Sequence, residues 1–181
     1  MLLDLAEASL REGLASGRPA TAALSALPPG LRRAAASFVT LRRGRNLRGC
    51  IGSAEPRRPL ADDVTHNAYR AAFGDPRFPP LARRELPGLR LEVSVLGPHR
   101  TLSFADEEAL CGQLQPHTHG LLIECGARRA LFLPAVWREI PEPRRFLALL
   151  KRKAGLPAGF WSRDIRARVF SVQSFARSLR A

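Results

Sequence analysis

Three cysteines, one methionine, one tyrosine and two tryptophans are all that the 181 residues hold of those types. Cys50, Cys111 and Cys125 form no Cys-x-x-Cys pair, and an odd number leaves at least one thiol unpaired. A disulfide framework is thereby excluded as the organising device, and a reducing, cytoplasmic compartment is expected. Lysine is scarce too, because 27 of the 29 basic residues are Arg and only Lys151 and Lys153 are Lys. No run of about eighteen uncharged apolar residues occurs. Asp4, Glu7, Arg11 and Glu12 interrupt the leucines of the first fourteen positions. Neither a membrane span nor a signal peptide is expected. The chain also has no P-loop, no dinucleotide-binding glycine fingerprint and no Gly-x-Ser-x-Gly elbow, so no cofactor is expected.

What is present is apolar material and positive charge. An apolar fraction of 45% over 181 residues is enough for a packed core, and the length suits a single domain spanning 1–181 with two lobes. The formal charge of +13 is unevenly spread, at +6 over residues 1–60, −2 over 61–120 and +9 over 121–181. Ala, Arg, Pro and Gly together make 83 residues, all types that G/C-rich codons supply, so genome composition accounts for much of the arginine. No helix-turn-helix, zinc-finger or RNP pattern accompanies the charge, and the aromatics are not interleaved with it. A basic nucleic-acid-binding module is the least supported reading, since charge alone gives only nonspecific attraction.

Hydrophobic spacing supplies the elements. Leu2, Leu3, Leu5, Ala6, Leu10 and Leu14 predict an amphipathic helix stopped by Gly17. Ser37–Leu41 and Leu47–Ile51 read as a hairpin across the polar turn 42–46. Leu60–Phe73 reads as a helix ended by Gly74-Asp75-Pro76, and Leu89–Leu96 alternates as a half-buried strand. A short helix is expected within 104–114 and a second hairpin over 120–125 and 130–133. Pro134 and Pro143 open helical segments reaching Leu150, and 166–175 reads as one last strand. Strands and helices mix without regular βαβ alternation, which predicts an α+β fold of antiparallel hairpins with flanking helices. The two hairpins share a plan of strand, Arg/Gly turn, strand and Pro-started helix, which suggests an internal duplication.

Leu47-Arg48-Gly49-Cys50-Ile51-Gly52 is the most informative segment. In a strand, Arg48 and Cys50 share a face with Cα atoms about 6.6 Å apart. A guanidinium beside a thiol favours the thiolate. Gly49 and Gly52 leave room for another backbone or a ligand, although the commoner fate of such a cysteine is to be a small buried hydrophobe beside a bulge. In Asp75-Pro76-Arg77-Phe78-Pro79-Pro80, three prolines in five residues present Asp75 and Arg77 on a stiff segment. Asp62, His66 and Arg70 share a helical face on which Asp62 is a candidate to orient the imidazole. His117 and His119 lack a third ligand at a diagnostic spacing, so no metal site is assigned. Glu92 and Glu124 lie on the polar sides of predicted strands, where they either meet an arginine such as Arg48 or point to water.

Leu47–Gly52, the run from Ala71 to Leu81, and Glu92-Val-Ser-Val-Leu96 together resemble the AMMECR domain family, in prokaryotes the AmmeMemoRadiSam system protein A group. The likeness continues through His119–Glu124, Ala130–Trp137 and Arg152–Gly155, and covers residues 1–175. It implies an α+β fold with a larger and a smaller lobe, a functional cleft near Leu47–Gly52, and association with a Memo-type protein and a radical S-adenosylmethionine protein. It implies no reaction. Carried over by position, the site residues are Arg48, Gly49, Cys50, Gly52, Asp75 and Arg77, with Cys50 the candidate catalytic group. Gly74 stands where relatives often carry a longer side chain. The expectation is a chain that binds a small anionic or peptide ligand in a cleft lined by Arg48 and Cys50. The alternative is a non-catalytic adaptor that docks partner proteins.

Overall fold

The computed structural model describes residues 1–180 and confirms the α+β class. The helices are α1 (Leu2–Ser16), α2 (Pro29–Arg32), α3 (Leu60–Phe73), α4 (Glu107–Gln113) and α5 (Pro143–Lys153). The strands are β1 (Ser37–Arg43), β2 (Asn46–Gly52), β3 (Leu89–Leu96), β4 (Arg100–Thr101), β5 (Gly120–Cys125), β6 (Arg128–Phe132), β7 (Arg166–Phe170) and β8 (Val172–Ser178). They form two four-stranded sheets, ordered β2-β1-β3-β8 and β4-β7-β5-β6. The chain divides into two compact units, residues 1–96 with 173–181, and residues 97–172. No helix among the described residues is long and apolar enough to cross a membrane.

In the first unit, α1 ends as its sequence demands. Gly17 adopts φ 73° and donates its N–H to the Gly13 carbonyl, a left-handed cap that favours glycine. The β1–β2 turn is tighter than the polar stretch 42–46 suggests. The strands run on to Arg43 and Asn46, and Gly44, at φ 58°, begins a two-residue turn. A register shift between Leu41 and Arg42 absorbs the odd residue. Val39 and Leu41 of β1, Leu89, Leu91 and Val93 of β3, Ala6 and Leu10 of α1, and Val64, Ala68 and Ala71 of α3 make one apolar cluster. Alternation along the strands sends Phe38 and Thr40, Cys50, and Glu92 and Ser94 to the other face of the sheet, and Arg48 is the residue that the register shift leaves without a cross-strand partner.

The second unit repeats the order of the first. Helix, hairpin, helix, strand is α1-β1-β2-α3-β3 in one, with the short α2 inserted, and α4-β5-β6-α5-β7 in the other. In both, the third strand pairs antiparallel with the first strand of the hairpin. Leu121, Ile123, Ala167 and Val169 from the sheet pack with Leu110, Trp137, Phe146, Leu147 and Leu150. Trp137 and Phe146 stack at 3.7 Å, and the indole N–H donates to the His119 carbonyl at 2.6 Å. The single strand expected over 166–175 is in fact two. β7 belongs to the second sheet and β8 to the first, and Ser171 between them accepts the Gly97 N–H with its carbonyl. Alternation alone does not reveal such a change of sheet, because both halves are extended.

Candidate functional site

β2 is the edge strand of its sheet, and the fold must deal with its outward N–H and C=O groups. One neighbour comes from the proline-rich segment. The Asp75 carboxylate accepts the Cys50 N–H at 2.9 Å, and the Arg77 guanidinium donates to the Cys50 carbonyl at 3.3 Å. Two side chains thus do at Cys50 what a further strand would do with its backbone. They also hold each other, with Arg77 Nη2 2.6 Å and Nε 2.9 Å from the two Asp75 oxygens. The Arg77 main-chain N–H adds a bond to the same carboxylate at 3.1 Å. Asp75 is buried, and the guanidinium beside it holds its carboxyl far below the usual range. The Arg77 pKa rises in response, and half of the Arg77 side chain stays in solvent.

Arg48 is held at a second point. It donates from Nε and Nη2 to the two Glu85 oxygens at 2.7 and 3.0 Å, and from Nη2 to the Pro79 carbonyl at 3.0 Å. Glu85 also accepts the Ala82 N–H at 2.8 Å, and its pKa is lowered to about 2, first by the Arg48 bond. Arg48 Nη1 is buried without a hydrogen-bond partner. The Arg48 and Arg77 guanidinium carbons lie 5.9 and 5.5 Å from the centre of the Phe78 ring, within cation–π range. The motif on β2 and the Asp75–Pro80 segment are therefore one construction.

The glycines set its depth. A Cβ on Gly49 would sit 2.0 Å from the Ala71 carbonyl oxygen, so α3 lies against bare strand backbone. A Cβ on Gly52 would meet the Phe38 ring at 2.2 Å. Between them, the half-buried Cys50 thiol lies on the face opposite α3 and accepts the Thr40 hydroxyl at 3.4 Å. Thr40 is paired with Cys50 on one side and with Glu92 on the other, so the three form a row across the sheet.

Beneath α3 is a buried polar group that the sequence did not single out. Asp63 accepts from the Ser37 N–H and hydroxyl, from Asn67 at 2.9 Å and from the Ser53 hydroxyl. It fastens the residue after β2 and the first residue of β1 to the helix. The visible signal was Asp63 and Asn67 at i, i+4, one residue along from the face carrying Asp62, His66 and Arg70. Asp62 and His66 make no hydrogen bond to each other among the described residues. Burial, with Arg58 and Arg70 nearby, lowers the His66 pKa.

The remaining candidates lie elsewhere. Glu124 pairs with Arg168 at 2.7 Å, not with Arg48, and His119 Nδ1 accepts the Gln115 N–H at 3.2 Å within its own turn. Among the described residues no three His, Cys, Asp or Glu side chains converge as a metal-binding set. Thr40 and Glu85 were not foreseen as parts of the site.

The AMMECR1 family model matches residues 3–175, a span that holds every residue of this construction. The chain belongs to the AMMECR1 family. Family relatives include a protein of Methanothermobacter thermautotrophicus, 40% identical over 151 residues that cover 82% of this chain and 79% of that one. Another, from Thermofilum pendens, is 37% identical over 167 residues, 83% of this chain and 76% of its own. The crystal structure of an uncharacterised protein from Pyrococcus horikoshii matches this AMMECR1-family chain with a TM-score of 0.91 and 34% identity, over 98% of this chain and 90% of that one.

Proposed function

We propose that this protein binds a small anionic or peptide ligand over the surface formed by Cys50 and Arg77 beside Arg48, with Cys50 as the reactive group. It would act as the protein A component of an AmmeMemoRadiSam system, beside a Memo-type protein and a radical S-adenosylmethionine protein. One observation carries the reading. The second unit repeats the same hairpin-helix-strand plan, yet its β6, Arg128–Phe132, has neither glycine nor cysteine. The plan of the sheet therefore does not by itself call for Gly49-Cys50, nor for the Asp75–Arg77 pair that fixes Cys50. Fixed main chain, a half-open thiol and a half-exposed guanidinium form a preorganised arrangement, which lowers the ordering cost of binding.

The test is alkylation with iodoacetamide over pH 5 to 10, with the modified cysteines located by mass spectrometry. Cys50 is expected to react well ahead of Cys111, whose pKa burial pushes up. Equal, slow reaction at both would end the assignment of Cys50 as the reactive group.

The adaptor reading has one observation of its own. The outward backbone groups of Cys50 are already bonded, so a partner cannot add a strand there and must dock on side chains. Copurification with the Memo-type partner separates the two readings. Cys50→Ser that keeps the complex and loses its activity favours chemistry, whereas Cys50→Ser that keeps both, with Arg77→Gln losing the complex, favours docking.

A further inference from the structure

The second unit holds an open cleft of about 540 Å³, formed where the segment after β4 faces the segment before β7. Its size is within the range of small-molecule sites. Buried Leu102 and Ile165 line it, the half-buried Phe104 and Trp161 rings form an aromatic pair with centres 5.8 Å apart, and Arg163 and Arg166 supply charge.

Neither arginine makes an ion pair among the described residues, although acidic groups are close. Glu124, opposite Arg166 in the sheet, is engaged by Arg168 at 2.7 Å and Arg129 at 3.8 Å. Asp164 is turned onto the Ser162 hydroxyl at 3.2 Å, and Asp106 caps α4 by accepting the Ala109 N–H. Asp164 and Asp106 keep their charge, but neither guanidinium is bonded to a carboxylate, and both line the cleft.

The aromatic wall is held from behind. Lys151 is fully buried in α5 and donates to Glu107 of α4 at 2.8 Å and to the Phe160 carbonyl at 3.0 Å, directly before Trp161. A buried ammonium is costly unless well bonded, and this one ties two helices to the segment that presents the indole.

The geometry points to a second ligand site here, for a phosphomonoester attached to a planar ring, of which a nucleoside monophosphate is the simplest example. Arginine donors fit phosphate oxygens, and two of them suit its double charge. The ring lies against Trp161 and Phe104 over the apolar floor. All of its lining residues belong to the second unit.

Adenosine 5′-monophosphate is the probe, followed by calorimetry and by fluorescence of Trp161, with the buried Trp137 as the background that Trp161→Phe isolates. Saturable binding is expected, weakened about tenfold or more in Arg163→Gln/Arg166→Gln, since a charge-assisted bond contributes about 1.5–3 kcal/mol and 1.4 kcal/mol is tenfold. Adenosine and ribose 5-phosphate, each lacking one half of the recognition, should both bind more weakly. No saturable signal at about 5 mM probe, a value well above micromolar affinities, would overturn the assignment. So would binding undiminished in the double variant, or ribose 5-phosphate binding as tightly as the nucleotide.

Discussion

Asp75 accepts the Cys50 main-chain N–H while holding Arg77, which in turn donates to the Cys50 carbonyl. One residue of an edge strand is therefore fixed by a salt bridge, so the position of the Cys50 thiol depends on the charge state and geometry of that pair. Asp75→Ala removes the acceptor and leaves Arg77 without its partner. It should destabilise the fold by about 1–3 kcal/mol, as expected for leaving the Cys50 N–H without its acceptor. Asp75→Asn, which keeps one oxygen for the Cys50 N–H, should cost less. Denaturant midpoints give the order, and amide exchange at Cys50 should quicken in both.

Glu85 gives the fold a dependence on acid. Its folded pKa of about 2 is below its ordinary 4.5, so the stability it contributes with Arg48 is fully present above pH 4.5 and is lost as the pH falls toward 2. Glu85→Gln should be less stable than the wild type at pH 7, and the difference should shrink between 4.5 and 2. A difference that stays constant over that range, measured by urea unfolding, would remove the ion pair as its source.

Gly49 and Gly74 separate close approach from mere glycine. Gly49→Ala puts a methyl group 2.0 Å from the Ala71 carbonyl oxygen, where helix backbone must move, and should cost about 3 kcal/mol or prevent folding. Gly74→Ala meets nothing nearer than 3.4 Å, at a φ of −128°, and should be tolerated within about 0.5 kcal/mol. Thermal unfolding of the two variants side by side checks the contrast.

Asp63 should matter for packing and not for ligand. Asp63→Ala leaves the buried Ser37 N–H and hydroxyl without their acceptor, at a cost of about 3 kcal/mol. The alkylation rate of Cys50 in the protein that remains folded should stay within about twofold of wild type, a free-energy change under about 0.5 kcal/mol.

The legible and illegible parts of this fold differ in the range of the interaction that determines them. Helix α3 has the predicted limits of Leu60 and Phe73, and β3 those of Leu89 and Leu96, because apolar periodicity and a terminating glycine or proline are local signals. The proximity of Cys50, Asp75 and Arg77 came from family resemblance and not from spacing, since 25 residues separate Asp75 from Cys50. Glu85 as the partner of Arg48 left no trace in the sequence. It sits 37 positions away in a short turn, and no periodicity marks it out from Glu92. Thr40 depends on hairpin register, which the shift at Leu41 and Arg42 alters. Nor did the chain's change of sheet at Ser171 show, because extended backbone looks alike on both sides of it.

The charge beside the thiol is tested most directly by comparing iodoacetate with iodoacetamide at Cys50, two reagents that differ chiefly by one negative charge. If Arg77 gathers anions over the sulfur, the ratio of the two rates at Cys50 should exceed that at Cys125. It should fall several-fold in Arg77→Gln and recover in Arg77→Lys, which restores the charge without the paired bonds to Asp75. A ratio at Cys50 that is unchanged by Arg77→Gln would contradict the account.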